Sequence, residues 1–114
     1  SFKYSVLGYN DRSVAAMLEN VVCLELLRRG YEVCIGKTPN GEIDFIATRQ
    51  NDKLYIQITK EIKSEKTEKR EYDRLLEIGD NYPKYLLTTD DFAGGNYQGI
   101  KTMHVADFLL SNEY

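Results

Sequence analysis

Apolar positions along the chain fall into blocks with two different periods. From Ser13 to Arg29 they cluster at helical spacing: Val14, Leu18, Val21, Val22, Leu24, Leu26 and Leu27 cover more than half a helix circumference. A helix of that pattern is expected to be largely buried. Asp11 or Ser13 suits its N-cap, Arg28 and Arg29 suit the negative end of its dipole, and Gly30 is placed to end it. Three strand-like segments follow: Tyr31 to Ile35, Ile43 to Thr48 after the turn segment Thr38-Pro39-Asn40-Gly41, and Leu54 to Thr59 after Gln50-Asn51-Asp52. The short polar link between the last two predicts a hairpin. A second helix is expected from about Ser64 to Ile78, with Tyr72, Leu75, Leu76 and Ile78 as its core stripe and Asp80-Asn81-Tyr82-Pro83 as its break. Tyr85 to Thr88 reads as a strand. The loop around Gly94-Gly95-Asn96 leads to a short strand near Lys101–Val105, and a helical turn covers Ala106 to Leu110.

The predicted order is therefore α-β-β-β-α-β followed by a short β-α tail. That order argues for an α/β fold with a mixed sheet flanked by helices. At 114 residues the chain suits one domain. Its first residue, Ser1, reads as an internal point of a longer protein or the remnant of a tag.

Composition adds three constraints. Hydrophobic residues make up 42% and charged residues 29%, so a core of ordinary size is available. The net charge of −3 is not the footprint of a protein that coats nucleic acid, although a local basic patch remains compatible with it. Cys23 and Cys34 sit in apolar runs without a CxxC spacing, which predicts two reduced, buried thiols and a cytoplasmic setting. No apolar run approaches the ~18 residues of a membrane span, so no membrane partner is expected.

Three places carry candidate chemistry. Glu19 has Ala15, Ala16, Val22 and Cys23 as its helical neighbours, so its carboxylate needs a partner: a backbone N–H, an arginine or a metal. Asp44 interrupts the apolar run Ile43-Asp44-Phe45-Ile46-Ala47, where Asp is disfavoured unless it faces solvent or does something. Strict alternation places Ile43, Phe45 and Ala47 on one face and Asp44 with Ile46 on the other. In the third strand Leu54, Ile56 and Ile58 share a face, and Gln57 and Thr59 share the opposite one. With Asn51-Asp52 as a two-residue turn, Asp44 would stand opposite Thr59 and diagonal to Gln57; a slip of one residue would separate the faces.

Glu on the first helix, Asp on the second strand and a Gln57-Ile58-Thr59 triplet on the third resemble the PD-(D/E)XK nuclease arrangement. The segments from Glu19 to Tyr31, Gly41-Glu42-Ile43-Asp44-Phe45-Ile46 and Tyr55-Ile56-Gln57-Ile58 resemble something narrower. They are similar to the C-terminal domain found behind the ATPase core and winged-helix region in a family of prokaryotic AAA+ ATPases. The resemblance covers roughly residues 7 to 110. It implies a restriction-endonuclease-like αβββαβ core, and in active members carboxylates that hold Mg²⁺ or Mn²⁺ to polarise a phosphate and activate water.

Two positions depart from the pattern. Gln57 stands where the nuclease pattern has Glu, and Thr59 where it has Lys. On a regular strand Lys60 faces the other way, which leaves Lys37 or Lys63 to supply a charge from a loop. The resemblance then implies an accessory or partner-binding domain with a degenerate nuclease site at Glu19, Asp44, Gln57 and Thr59. Its partners would be the ATPase core and winged-helix region of the same chain, with nucleic acid and self-association as further possibilities. The alternative is a metal-dependent nuclease in which Glu19, Asp44 and Gln57 hold Mg²⁺ or Mn²⁺. Elsewhere, His104 lacks a nucleophile context and is expected to play an ordinary strand or surface role. The Lys/Glu-dense run from Lys60 to Arg70 reads as a solvated helix face laced by i,i+4 pairs.

Overall fold

The structure, a computed structural model, describes residues 11–39, 41–59, 65–89, 95–112 and 114. The first helix, α1, spans Asp11–Arg28, and three strands follow it: β1 (Glu32–Thr38), β2 (Gly41–Arg49) and β3 (Asp52–Thr59). Helix α2 (Glu65–Leu76) then leads to β4 (Lys84–Thr88). The chain ends with β5 (Asn96–Tyr97), β6 (Ile100–His104) and the short helix α3 (Val105–Leu110). The strands form one mixed sheet in the order β1-β2-β3-β4-β6-β5. β1, β2 and β3 form an antiparallel meander, β3, β4 and β6 run parallel, and β5 returns antiparallel to β6. The expected α/β class, mixed sheet and flanking helices are all present.

Each face of the sheet carries its own helices. On one face Val22 and Leu26 of α1, with Val105 and Phe108 of α3, pack on Ala47, Leu54, Ile56, Tyr85 and Leu87. On the other, Tyr72 and Leu75 of α2 pack on Ile43, Tyr55, Leu86 and Ile100. β4 is buried along its whole length, as expected of a parallel strand covered on both sides.

Helix α1 departs from expectation. Val22 and Leu26 are fully buried, but Met17, Val21, Leu24 and Leu27 stand 38–62% exposed. Its all-round apolarity therefore exceeds what the sheet covers. Cys23 is half-buried and Cys34 exposed on β1, so the thiols are free but not buried as a pair. The Gly-rich segment also contributes a strand, β5, which composition alone did not indicate. Its Tyr97 stacks on Tyr72 with ring centroids 4.4 Å apart.

Two register features place the candidate residues. The β2–β3 hairpin pairs Arg49 with Asp52, so its two-residue turn is Gln50-Asn51, with Gln50 in the left-handed region at φ 53°. The expected turn was Asn51-Asp52. The pairing Phe45↔Ile56, carried one residue further, sets Asp44 opposite Gln57 rather than Thr59. This is a shift of two, an even step that leaves each side chain on its face. The second feature is a bulge. β1 and β2 pair Cys34 with Ile46 but Gly36 with Ile43, so Asp44 and Phe45 together stand against the single residue Ile35. The extra residue inverts the alternation of β2. Ile43 and Ile46 both reach the α2-side cluster, whereas Phe45 and Ala47 pack on the α1 side. The expected grouping of Ile43 with Phe45 and Ala47 is thereby corrected.

Candidate functional site

At the bulge the backbone ladder between β2 and β3 gives way to side chains. Pairing runs from Arg49↔Asp52 to Phe45↔Ile56. Beyond it, the Asp44 N–H donates to Gln57 Oε1 at 2.9 Å, and the Ile58 N–H donates to Asp44 Oδ2 at 2.8 Å. Both backbone donors are satisfied although the strands have parted, as buried N–H groups require. Gln57, only 2% exposed, also donates from Nε2 to Glu71 Oε2 of α2 at 2.9 Å. The reverse amide orientation would aim an NH₂ at the Asp44 N–H and an oxygen at a carboxylate, so the network fixes it.

Glu19 of α1 lines the same cavity as Asp44 and stands near enough for its carboxylate to act on the Asp44 carboxyl. The Asp44 carboxyl is pushed up from 3.8 to about 6. Burial is the main cause; the negative charges of Glu19 and Glu71 and the Glu19 hydrogen bond add to it, and the Ile58 N–H opposes it. Glu19, Glu42 and Asp44 line a cavity of about 350 Å³ between α1 and the bulged end of β2, with Ala16, Ile35 and Phe45 among its walls.

The structure thus gathers Glu19 and Asp44 in one cavity. Gln57 reaches Asp44 through its backbone and turns its amide toward Glu71, and it is not part of the cavity wall. Thr59, half-buried, ends β3 beside Thr88 of β4 and does not border the cavity. Lys37 is exposed on β1, across from Glu42. Lys60 and Lys63 lie outside the described residues. His104 caps α3, its Nδ1 accepting the Ala106 N–H at 3.0 Å, which is a structural role.

Sequence reasoning missed Glu71. It directly follows the run from Lys60 to Arg70 that reads as a solvated helix face, yet it is only 8% exposed. The available signal was its position one turn before Leu75, which places it on the core face. The i,i+4 pairing expected on that helix is present further round it, where Lys69 meets Asp73 at 2.8 Å.

A divalent cation, which the resemblance implies for active members, needs several oxygen ligands at short range. Among the described residues no three His, Cys, Asp or Glu side chains come together with that spacing. Gln57 Oε1 and Asp44 Oδ2 are each engaged by a backbone N–H. The described residues do not fit a resident Mg²⁺ or Mn²⁺.

No protein-family model matches the chain. It is 44% identical over 104 residues to an uncharacterized protein of Haemophilus influenzae. The match takes in 91% of this chain and 25% of that protein, so the chain spans about a quarter of the relative's length. Among the described residues no helix is long and apolar enough to cross a membrane.

Proposed function

We propose that this chain is a partner-binding domain with a restriction-endonuclease-like core, built on a PD-(D/E)XK site that has lost its chemistry. The observation that carries this reading is the state of Gln57. Its oxygen accepts a backbone N–H and its nitrogen donates to Glu71, so it ties β2, β3 and α2 together instead of presenting a ligand. Thr59 supplies no charge at the position where the pattern has Lys, and loss of an electrostatic partner in such a reaction costs orders of magnitude in rate. The element order, the parting of β2 from β3 at Asp44 and the approach of Glu19 from α1 support the core assignment.

On this reading the domain serves the ATPase core and winged-helix region of a longer AAA+ protein. The H. influenzae relative, four times the matched length, leaves room for such parts.

The test is cleavage of duplex DNA, single-stranded DNA and RNA in Mg²⁺ and in Mn²⁺. The expected result is no cleavage above background. Cleavage that disappears in Asp44→Ala would establish instead a metal-dependent nuclease, the reading favoured by the convergence of Glu19 and Asp44.

A further inference from the structure

We infer that the outward face of α1 is a self-association surface, covered by the same face of a second copy of this chain. The inference stands apart from the nuclease-like site and does not depend on it. Val22 and Leu26 turn α1 toward the sheet and are fully buried. On the opposite side, at three- and four-residue spacing, stand Met17 (38% exposed), Val21 (44%), Leu24 (62%) and Leu27 (50%). Together they leave on the order of 350 Å² of apolar surface in water, within the ~300–600 Å² of the largest patch on a typical monomer, a patch that is often functional.

Two observations select a second copy as the occupant. The first is charge. The chain carries 18 acidic and 15 basic side chains, so copies repel on average. The stripe itself holds no Asp, Glu, Lys or Arg. Of the acids on the same stretch of helix, Glu25 is held by Arg28 and Arg29, and Glu19 turns to the cavity beside β2. Two identical faces of this kind meet without setting like charges together. The second observation is Asn20, which is exposed and lies within the stripe. Met17, Asn20, Leu24 and Leu27 follow one another at three, four and three residues, the spacing of a helix-pairing seam. One polar residue in such a seam fixes its register and the number of helices. A two-fold contact sets the residue nearest its axis against its own counterpart. An amide suits that position, because it carries both donor and acceptor and can satisfy its own copy. An axis near Asn20 brings Met17 over Leu24 of the other copy on either side. With a polar rim, two such faces bury about 1,000 Å², the lower bound for a specific interface, so the dimer is weak and concentration-dependent.

The experiment is sedimentation equilibrium of the 114-residue chain from micromolar to millimolar concentration, with a reductant present because Cys23 and Cys34 are free. The mass should rise from monomer to dimer with a midpoint at about 100 µM. Leu24→Glu and Asn20→Asp, both at exposed positions, should each weaken association at least about tenfold. Their melting temperatures at micromolar concentration, where the chain is monomeric, should match the wild type. Leu110→Glu is the control: Leu110 is 81% exposed on α3, outside the stripe, and its substitution should leave association unchanged. A chain that stays monomeric at millimolar concentration overturns the inference and leaves the stripe to a different partner. A dimer insensitive to either α1 variant, as one paired through the β1 edge would be, overturns it as well. So does a dimer that Leu110→Glu also breaks.

Discussion

Gln57 accepts the backbone N–H of Asp44 at 2.9 Å while donating to Glu71 at 2.9 Å, so one neutral amide fastens two strands and a helix. The residue that the nuclease pattern would place there, glutamate, can accept but not donate when ionised. Gln57→Glu is therefore expected to set two carboxylates against each other at a site 2% exposed. The cost should be ~2–4 kcal/mol at pH 8, the scale of a buried charge left without a partner. The penalty should shrink near pH 4, where one of the pair is protonated. Urea unfolding at the two pH values measures it; equal stability of variant and wild type at pH 8 would show that the amide is not the tie described.

Asp44 predicts a pH dependence of definite sign. Its folded-state carboxyl lies near 6, above the unfolded value of 3.8, so the folded state holds its proton more tightly. Stability from this group is fully present below about pH 3.8 and is lost as pH rises through about 6. Asp44→Asn keeps an oxygen for the Ile58 N–H and removes the charge. At about 1.4 kcal/mol per unit, discounted for partial solvation, the variant should gain ~1–2 kcal/mol at pH 8 and nothing near pH 4. Thermal unfolding across that range tests the crossover. A variant less stable than wild type at pH 8 would mean that the carboxylate holds the strand junction chiefly as an anion.

Much of this arrangement was legible in the sequence because hydrophobic period and turn chemistry are local signals. The two long helices, the meander and the shared face of Leu54, Ile56 and Ile58 follow from spacing alone. What spacing could not give is parity. One extra residue opposite Ile35 reassigns Ile43 from the Phe45 face to the opposite one, and no local propensity marks where a bulge falls. The hairpin register was displaced by two because Gln50-Asn51 and Asn51-Asp52 are both plausible turns, and Gln50 accepts a positive φ. Glu71 was obscured by its Lys- and Glu-rich neighbours; its burial depends on β3 standing beneath it. The outer stripe of α1 looked like core because composition records apolarity and not what covers it.

Gly36 tests the bulge directly. It sits in β1 where a Cβ would meet Ile46 Cδ1 at 2.6 Å and Ile43 Cβ at 3.3 Å. Ile43 is fully buried and its Cβ is held by the backbone, whereas Ile46 is half-buried and it is the far end of its side chain that must turn aside. Gly36→Ala should cost ~1–3 kcal/mol, the scale of overpacking a filled core. It should also shift the NMR signals of Asp44 and Phe45, which the bulge positions. A neutral or stabilising substitution, as expected for Gly→Ala in an ordinary strand, would contradict the close packing.

At the far end of β3 a second polar knot holds the start of β4. Lys84, 8% exposed, donates from Nζ to Asp80 O at 2.8 Å, Tyr82 O at 3.0 Å and Asp80 Oδ1 at 3.1 Å. Asp80 Oδ2 in turn accepts the Tyr55 hydroxyl at 2.5 Å, and the Tyr55 N–H donates to Pro83 O at 3.0 Å. These contacts seat Lys84 beside Tyr55, the first pair of the parallel β3–β4 ladder. Lys84→Met retains the stem's packing but takes the Nζ donor from two carbonyls and the counter-charge from the Asp80 carboxylate, which keeps the Tyr55 hydroxyl and the Tyr82 N–H. The expected loss is ~1–3 kcal/mol, the scale of carbonyls left without a donor, with little from the ion pair because the Asp80 side chain is 34% exposed. Hydrogen exchange should locate the damage, with protection falling first at Tyr55, Ile56 and Leu86 while the α1–β2 contacts keep theirs. A uniform loss across the sheet would mean instead that the knot supports the whole domain and not the β3–β4 junction alone.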